Sequence, residues 1–208
     1  MTDSGTSSHV GSAEAMPGKR ERLVSAARDL LHQQGVERTT LADIAQRADV
    51  PLGNIYYYFK TKEEIVDAVI EAHVHDIKET ITSVDRRHRT PKGRLKALIG
   101  LLADQRELVA QYGCPHGTLC SELEKRAHGA DHAATRLMQI PIDWVEKQFQ
   151  SMGRHDAHDL AVEFIATYQG AAVLTHVLKA PEVMAQEGRR LKRRVERIDP
   201  RCEQSQPA

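Results

Sequence analysis

Apolar side chains recur along almost the whole chain at the spacing of an α-helix, and no stretch of useful length alternates with the period of a strand. Leu23, Ala26, Ala27, Leu30 and Leu31 stand at i, i+3, i+4, i+7 and i+8, one face of an amphipathic helix that Gly35 ends. Leu41, Ile44, Ala45 and Ala48 form the face of a second, shorter helix. Thr40 opens it, with Asp43 three residues on as a weak capping box. Asp49-Val50-Pro51 breaks the pattern, and a third short helix runs from about Leu52 to Tyr58. Thr61-Lys62-Glu63-Glu64 reads as a full capping box opening a long fourth helix, apolar at Ile65, Val69, Ile77, Ile81 and Val84 and stopped before Pro91.

The remainder is read the same way. Leu95, Leu98, Ile99 and Leu102 mark a fifth helix, and Tyr112 to Gly117 is a turn-rich interruption. A sixth helix covers about Thr118 to Ala127. The seventh, about Asp131 to Met152, contains Pro141, where a kink is expected. Asp156 caps an eighth helix reaching about Lys179, and a ninth runs from Glu182 to Arg197. The fold class is therefore all-α, with about nine helices. The expected organisation is a flexible tail over 1–17, a helix-turn-helix unit over 18–64, a larger helical domain over 65–198, and a second tail over 199–208.

Composition excludes several classes. At 40% hydrophobic and 28% charged residues the chain is too apolar to be disordered. No apolar run approaches the ~18 residues of a membrane span. The Ser/Thr/Gly-rich first residues lack the apolar core of a secretory signal, and three cysteines argue against a disulfide framework, so a cytoplasmic location is expected. Net charge is zero, but its distribution is uneven. Pro17 to Lys62 holds eight Lys/Arg and five Asp/Glu, hence +3, against −2 before it and −1 after it.

That basic excess coincides with two short helices around a tight turn, behind a longer packing helix. The reading helix would be Leu52-Gly53-Asn54-Ile55-Tyr56-Tyr57-Tyr58-Phe59. Three consecutive tyrosines on a helix project about 100° apart, so at least one faces solvent. Beside Asn54 and Lys60, such a ring can hydrogen-bond phosphates or base edges and press on a thymine methyl. Gly53 costs helix stability but admits close approach of a nucleic-acid backbone.

Thr39-Thr40-Leu41-Ala42-Asp43-Ile44-Ala45, Ala48-Asp49-Val50, Gly53 to Phe59 and Lys62-Glu63-Glu64-Ile65 together resemble the N-terminal domain of TetR/AcrR-type transcriptional regulators. Pro51 departs from the pattern, standing where many members carry a Ser or Thr cap. The resemblance implies an all-α regulator, most simply a repressor. It would be a homodimer on a palindromic double-stranded DNA operator, released by an unidentified small-molecule effector, with no enzyme activity, cofactor or membrane partner. It implies that Thr40 touches a phosphate, that Gly53, Asn54, Tyr56 and Tyr57 face the major groove and flanking phosphates, and that Lys62 grips a phosphate at a helix N-terminus. Ile55 and Phe59 would be core.

Two further readings concern the larger domain. From Ala161 to Leu178 the eighth helix is apolar on nearly every side, so it needs two partners. One is its own domain, and the other is a second subunit meeting Gly170, Ala171 and Val177. An effector pocket would draw on Met138, Ile140, Trp144 and Phe149, with Tyr168 and Leu174, and with Leu102 and Tyr112. The alternative is a metal- or thiol-responsive regulator using Cys114, His116 and Cys120, with His128 and His132 near them in sequence. A fourth metal ligand is not evident, and no metal is assigned. Gly113 to Leu123 looks like a structural turn of one branch of the same family.

Overall fold

The computed structural model describes residues 18–126 and 133–198. Those residues form ten α-helices and one 3-10 turn: α1 Lys19–Arg38, α2 Leu41–Arg47, α3 Leu52–Tyr58, α4 Lys62–Arg87, α5 Pro91–Asp104, α6 Arg106–Tyr112, α7 Pro115–Arg126, the 3-10 turn Ala133–Thr135, α8 Arg136–Ser151, α9 Ala157–Leu178 and α10 Pro181–Arg197. The expected fifth helix is present as two segments, α5 and α6, broken at Gln105; counted as one, they restore the nine. The expected tails and the residues around His128 and His132 lie outside the described residues.

Local chemistry explains the ends. Gly35 adopts φ 84° and ψ 166°, so the regular part of α1 stops there and a short turn carries on to Arg38. The box at Thr40 is complete: its Oγ1 accepts from the Asp43 N–H, and the Asp43 carboxylate accepts from the Thr40 N–H at 2.9 Å. The box at Thr61 is only half formed. Thr61 Oγ1 accepts from the Glu64 N–H, but the Glu64 carboxylate takes the Lys60 N–H at 2.7 Å instead. Helix α7 begins three residues earlier than its apolar pattern shows. Pro115 has the fixed φ suited to a first helical turn, so His116 and Gly117 are helical rather than part of the turn. Asp156 stands at the N-cap of α9, yet its carboxylate binds Arg154 at 2.6 and 2.8 Å rather than the helix.

Apolar packing falls into three clusters. One joins Leu23, Ala27, Ile44, Ile55, Phe59 and Ile65 of the first three helices and the start of α4 to Leu119 and Leu137. The second, under α5, α8, α9 and α10, contains Leu95, Val145, Phe149, Phe164 and Leu191. The third surrounds Val109, Cys114, Tyr168, Ala171 and Met184. Helix α4 contributes Ile65 and Val69 to the first and Val84 to the second, so one 26-residue rod ties the N-terminal helices to the rest. No helix among the described residues is long and apolar enough to cross a membrane.

Candidate functional site

Helices α2 and α3 are joined by a turn in which Asp49 takes φ 52° and the Val50 N–H donates to Ala45 O at 3.0 Å. Below the turn, Ile44, Val50, Ile55 and Phe59 are buried, which fixes the rotation of α3 about its own axis. The consequence is read directly: Tyr56 is 47% and Tyr57 80% exposed. The Tyr57 and Tyr58 rings meet edge to face at 5.1 Å. Nothing lies within 4 Å of where a Cβ on Gly53 would stand, so that side of α3 is open. Asn54 is half-buried, and its N–H donates to Pro51 O at 2.8 Å, so the turn of α3 closes without a Ser or Thr cap.

The flanking polar groups are already ordered. Thr40 is exposed, and its hydroxyl donates to the Asp43 carboxylate at 2.7 Å, a bond that holds the Asp43 pKa below its ordinary value. Lys62 Nζ donates to Glu37 O at 3.1 Å. An ammonium has three donors, so the same group can reach an anion without leaving Glu37. Lys60 Nζ donates to Tyr56 O at 2.6 Å, and the Arg20 guanidinium lies 5.3 Å from the centre of the Phe59 ring.

A second feature lies between the first helices and the larger domain. A cavity of about 770 Å³ is walled by α1, α4, α5, α6, α7, α8 and α9. Of the eight side chains expected to line a pocket, Leu102, Met138, Trp144 and Tyr168 do so. The other four do not. Phe149 is sealed in the second cluster, and Ile140 packs against the first. Tyr112 stands behind the lining residue His32, their rings 5.6 Å apart. Leu174 is 51% exposed on the outer face of α9. All eight were chosen by apolar character, which does not distinguish the two sides of a buried helix.

Sequence reasoning missed the polar end of the same cavity: Arg28, Asp29 and His32 from α1, His73 and Asp76 from α4, and His116 from α7. Arg28 binds Asp76 at 2.7 Å, and the His73 and His116 rings meet edge to face at 4.8 Å. Burial pushes the pKa of His73 down to about 3 and that of His116 down to about 4, so both are neutral near pH 7. The signal that could have found them is a histidine on the apolar face of α4, where Val69, Ile70 and Val74 surround His73 in the helical pattern.

The trio Cys114, His116 and Cys120 does not converge. Cys114 Sγ accepts from the Gly117 N–H at 3.4 Å and faces Tyr168 Oη and Gln169 Nε2 at 3.7 Å. Cys120 donates to Ala134 O at 3.1 Å, and burial holds its proton on, with a pKa near 11. His116 faces His73 instead. Among the described residues no three His, Cys, Asp or Glu side chains gather as a metal site would require.

On α9 the all-round apolar pattern resolves into two faces. Ala161, Phe164, Ile165, Tyr168, Ala171 and Ala172 are buried within the chain, and Val162, Val173, Leu174, Val177 and Leu178 are exposed. Ala171 therefore does not belong to an outer surface: one residue on from the open Gly170, it turns about 100° into the third cluster. Val177, 69% exposed, and Gly170 do lie outside.

A tight two-helix turn on a packing helix, with the second helix presenting aromatic side chains outward, is a helix-turn-helix nucleic-acid reader on an all-α body. Residues 23–69 match the family described as bacterial regulatory proteins, tetR family. The repressor DhaR of Mycobacterium sp. is 28% identical over 178 residues, which cover 80% of this chain and 87% of that one. The regulator TtgR of Pseudomonas putida is 27% identical, over 73% of this chain and 77% of that one. A further HTH-type regulator, from Lactococcus lactis, is 31% identical over 106 residues; there the chain spans about half, 54%, of the relative's length. In fold, a TetR transcriptional regulator from Legionella pneumophila superposes with a TM-score of 0.78 at 17% identity, over 86% of this chain and 98% of that one. A TetR-family regulator from Streptomyces coelicolor gives 0.76 at 20% identity, over 86% and 94%. The chain belongs to the TetR family of DNA-binding transcriptional regulators.

Proposed function

We propose that the protein is a cytoplasmic, homodimeric repressor that leaves its operator when a small molecule enters the 770 Å³ cavity. The observation that carries this reading is the shared wall. Arg28, Asp29 and His32 belong to α1, which packs on α2 behind the reading helix, and His73 and Asp76 belong to α4. A molecule lodged there touches the reading unit and the larger domain at once, so it can favour one spacing of two reading heads over another.

Within this reading the roles are specific. Tyr56, Tyr57, Asn54 and Gly53 meet the major groove and its edges, while Thr40 and Lys62 hold phosphates on either side. Domain boundaries follow: 18–64 reads DNA, and 65–198 binds the effector and the second subunit. The apolar stripe of Val162, Gly170, Val173, Leu174, Val177 and Leu178 on α9 is covered by its copy from the second subunit. Repression is supported by the description of DhaR as a repressor. The test is a selection of bound genomic fragments by the purified protein, followed by a screen for compounds that release the selected fragment. A dimer that recovers one two-fold symmetric sequence, and loses it to a compound that quenches Trp144, supports the reading. A selection that enriches no sequence overturns it.

A further inference from the structure

Charge is distributed on one side of the cavity only. All four of its charged lining residues, Arg28, Asp29, Asp76 and Glu79, come from α1 and α4. The lining residues from α5 onward include no Asp, Glu, Lys or Arg and are mostly apolar, Leu102, Leu108 and Met138 among them. One guanidinium against three carboxylates leaves a net −2. The Arg28 guanidinium is bound by Asp76 at 2.7 Å, and that pair cancels. Asp29 and Glu79 make up the whole excess, and neither has an ion-pair partner among the described residues. The buried histidines do not offset them, since burial holds the pKa of His73 down to about 3 and that of His116 down to about 4. His32 Nε2 is already engaged by Gly113 O at 2.9 Å.

Depth separates the two kinds of lining as well. Asp29, Asp76 and Glu79 are exposed, whereas Ile77, Leu98, Leu137, Trp144 and Ile165 are buried. The carboxylates therefore form a wet rim, and the apolar side chains form the floor. Trp144 and Tyr168 bring little polarity to that floor. The indole Nε1–H donates to the Asp85 carboxylate at 3.2 and 3.3 Å, and Tyr168 Oη faces Cys114 Sγ at 3.7 Å. Asp85 is in turn paired with Arg94 at 3.3 Å, so it adds no free charge. A ligand that fills this space needs an apolar body for the floor. Its head group stays at the rim and keeps much of its hydration, so a charge there escapes the cost of a buried ion. At that rim a cation gains from Asp29 and Glu79, an anion is repelled by the same two groups and finds no spare cation, and a neutral head gains nothing from either.

We infer that the cavity takes an amphipathic organic cation, its apolar body on the floor between α5, α8 and α9 and its ammonium head among the carboxylates of the α1–α4 rim. This deepens the effector reading and rests on it. The head group would lie against the helix that packs behind the reading unit and the rod that joins that unit to the larger domain. Trp144, the only tryptophan of the chain, lines the cavity and reports occupancy through its fluorescence.

The full-length protein is titrated with three probes that share one apolar body: 4-pentylbenzyltrimethylammonium, 4-pentylbenzyl alcohol and 4-pentylbenzoate. Two exposed carboxylates, each contributing as surface ion pairs do, should make the ammonium bind about fivefold more tightly than the alcohol, with the benzoate weakest. In about 1 M sodium chloride, where screening acts within about 3 Å, the ammonium and the alcohol should converge. Asp29→Asn combined with Glu79→Gln should bring the ammonium down to the alcohol's affinity, leave the alcohol unchanged and strengthen the benzoate. Both positions are exposed, and helicity should be unaltered. Wild-type protein that binds the alcohol or the benzoate as tightly as the ammonium overturns the inference and leaves the effector reading standing. An ammonium preference that survives the double substitution overturns it too. If no probe moves the Trp144 signal, the cavity is not a ligand site, and both the inference and the effector reading fall. If the ammonium binds through the two carboxylates but never releases selected DNA, the ligand class stands and the effector reading alone fails.

Discussion

Replacing Gly35 by alanine probes the join between α1 and the reading unit. Gly35 holds φ 84° and ψ 166°, a region essentially closed to residues with a side chain. Forcing an L-residue into it costs about 1–3 kcal/mol. The new Cβ would also stand 3.0 Å from both carboxylate oxygens of Glu122, reaching in from α7. That carboxylate accepts the Val36 N–H at 2.6 Å. Moving it aside weakens a charge-assisted bond of about 1.5–3 kcal/mol, and the lower end applies because Glu122 is half-buried. Gly35→Ala should therefore lose about 2–4 kcal/mol in urea unfolding followed by circular dichroism, with the m-value unchanged. Glu122→Ala supplies the control. In that background the contact is gone and only the backbone cost remains, so the loss from Gly35→Ala should shrink by roughly 1 kcal/mol or more in the double-mutant cycle. A Gly35→Ala loss under about 0.5 kcal/mol would refute the argument from backbone conformation, since surface substitutions fall in that range.

Three more outcomes follow from other parts of the molecule. His73 has its pKa pushed down to about 3 in the fold from an ordinary 6.5, so between those values the unfolded chain binds more protons. Stability should be fully present above pH 6.5 and fall below it, with His73 contributing up to about 1.4 kcal/mol per pH unit and His116, which burial holds down to about 4, adding to the slope, so His73→Leu should lessen the slope without abolishing it in denaturant titrations at pH 4 to 7. Phe149→Ala, in a site 2% exposed and sealed from the cavity, should lower stability by about 3–5 kcal/mol, while the protein at low temperature keeps its Trp144 response to cavity ligands. Val177→Asp on the outer face of α9 should shift sedimentation from dimer to monomer at micromolar concentration without loss of helicity, because it buries an unpaired charge only in the dimer; an unmoved dimer would place the interface elsewhere.

The parts of this fold legible in the sequence are those governed by local rules. Helical geometry alone requires at least one tyrosine to face solvent, the family resemblance implies that Ile55 and Phe59 are core, and α3 obeys both. The apolar run of α9 showed that two faces needed cover, yet could not say that Ala171 turns inward while Gly170 turns out. The cavity was half legible for the same reason. Trp144 and Tyr168 were chosen as large apolar residues, as was Phe149, and only packing against α5, α9 and α10 decides which of them meets open space. His73 and His116 lie 43 positions apart on different helices, and no local pattern announces that their rings touch. The Glu122 contact with Gly35 and Val36 is hidden likewise, since it joins α7 to α1 across most of the intervening chain.

The central claim is that α3 reads DNA through the tyrosines that Ile55 and Phe59 turn outward. The most direct measurement is the affinity of the wild type, Tyr57→Ala and a remote exposed control, Gln186→Ala, for the fragment recovered by selection, each at two salt concentrations. Tyr57→Ala should weaken specific binding by about 1–3 kcal/mol and leave binding to unrelated DNA, with its steep salt dependence, nearly unchanged. The control should match the wild type. Specific binding equally tight in Tyr57→Ala, at both salts, would contradict the account and take this side chain out of the DNA interface.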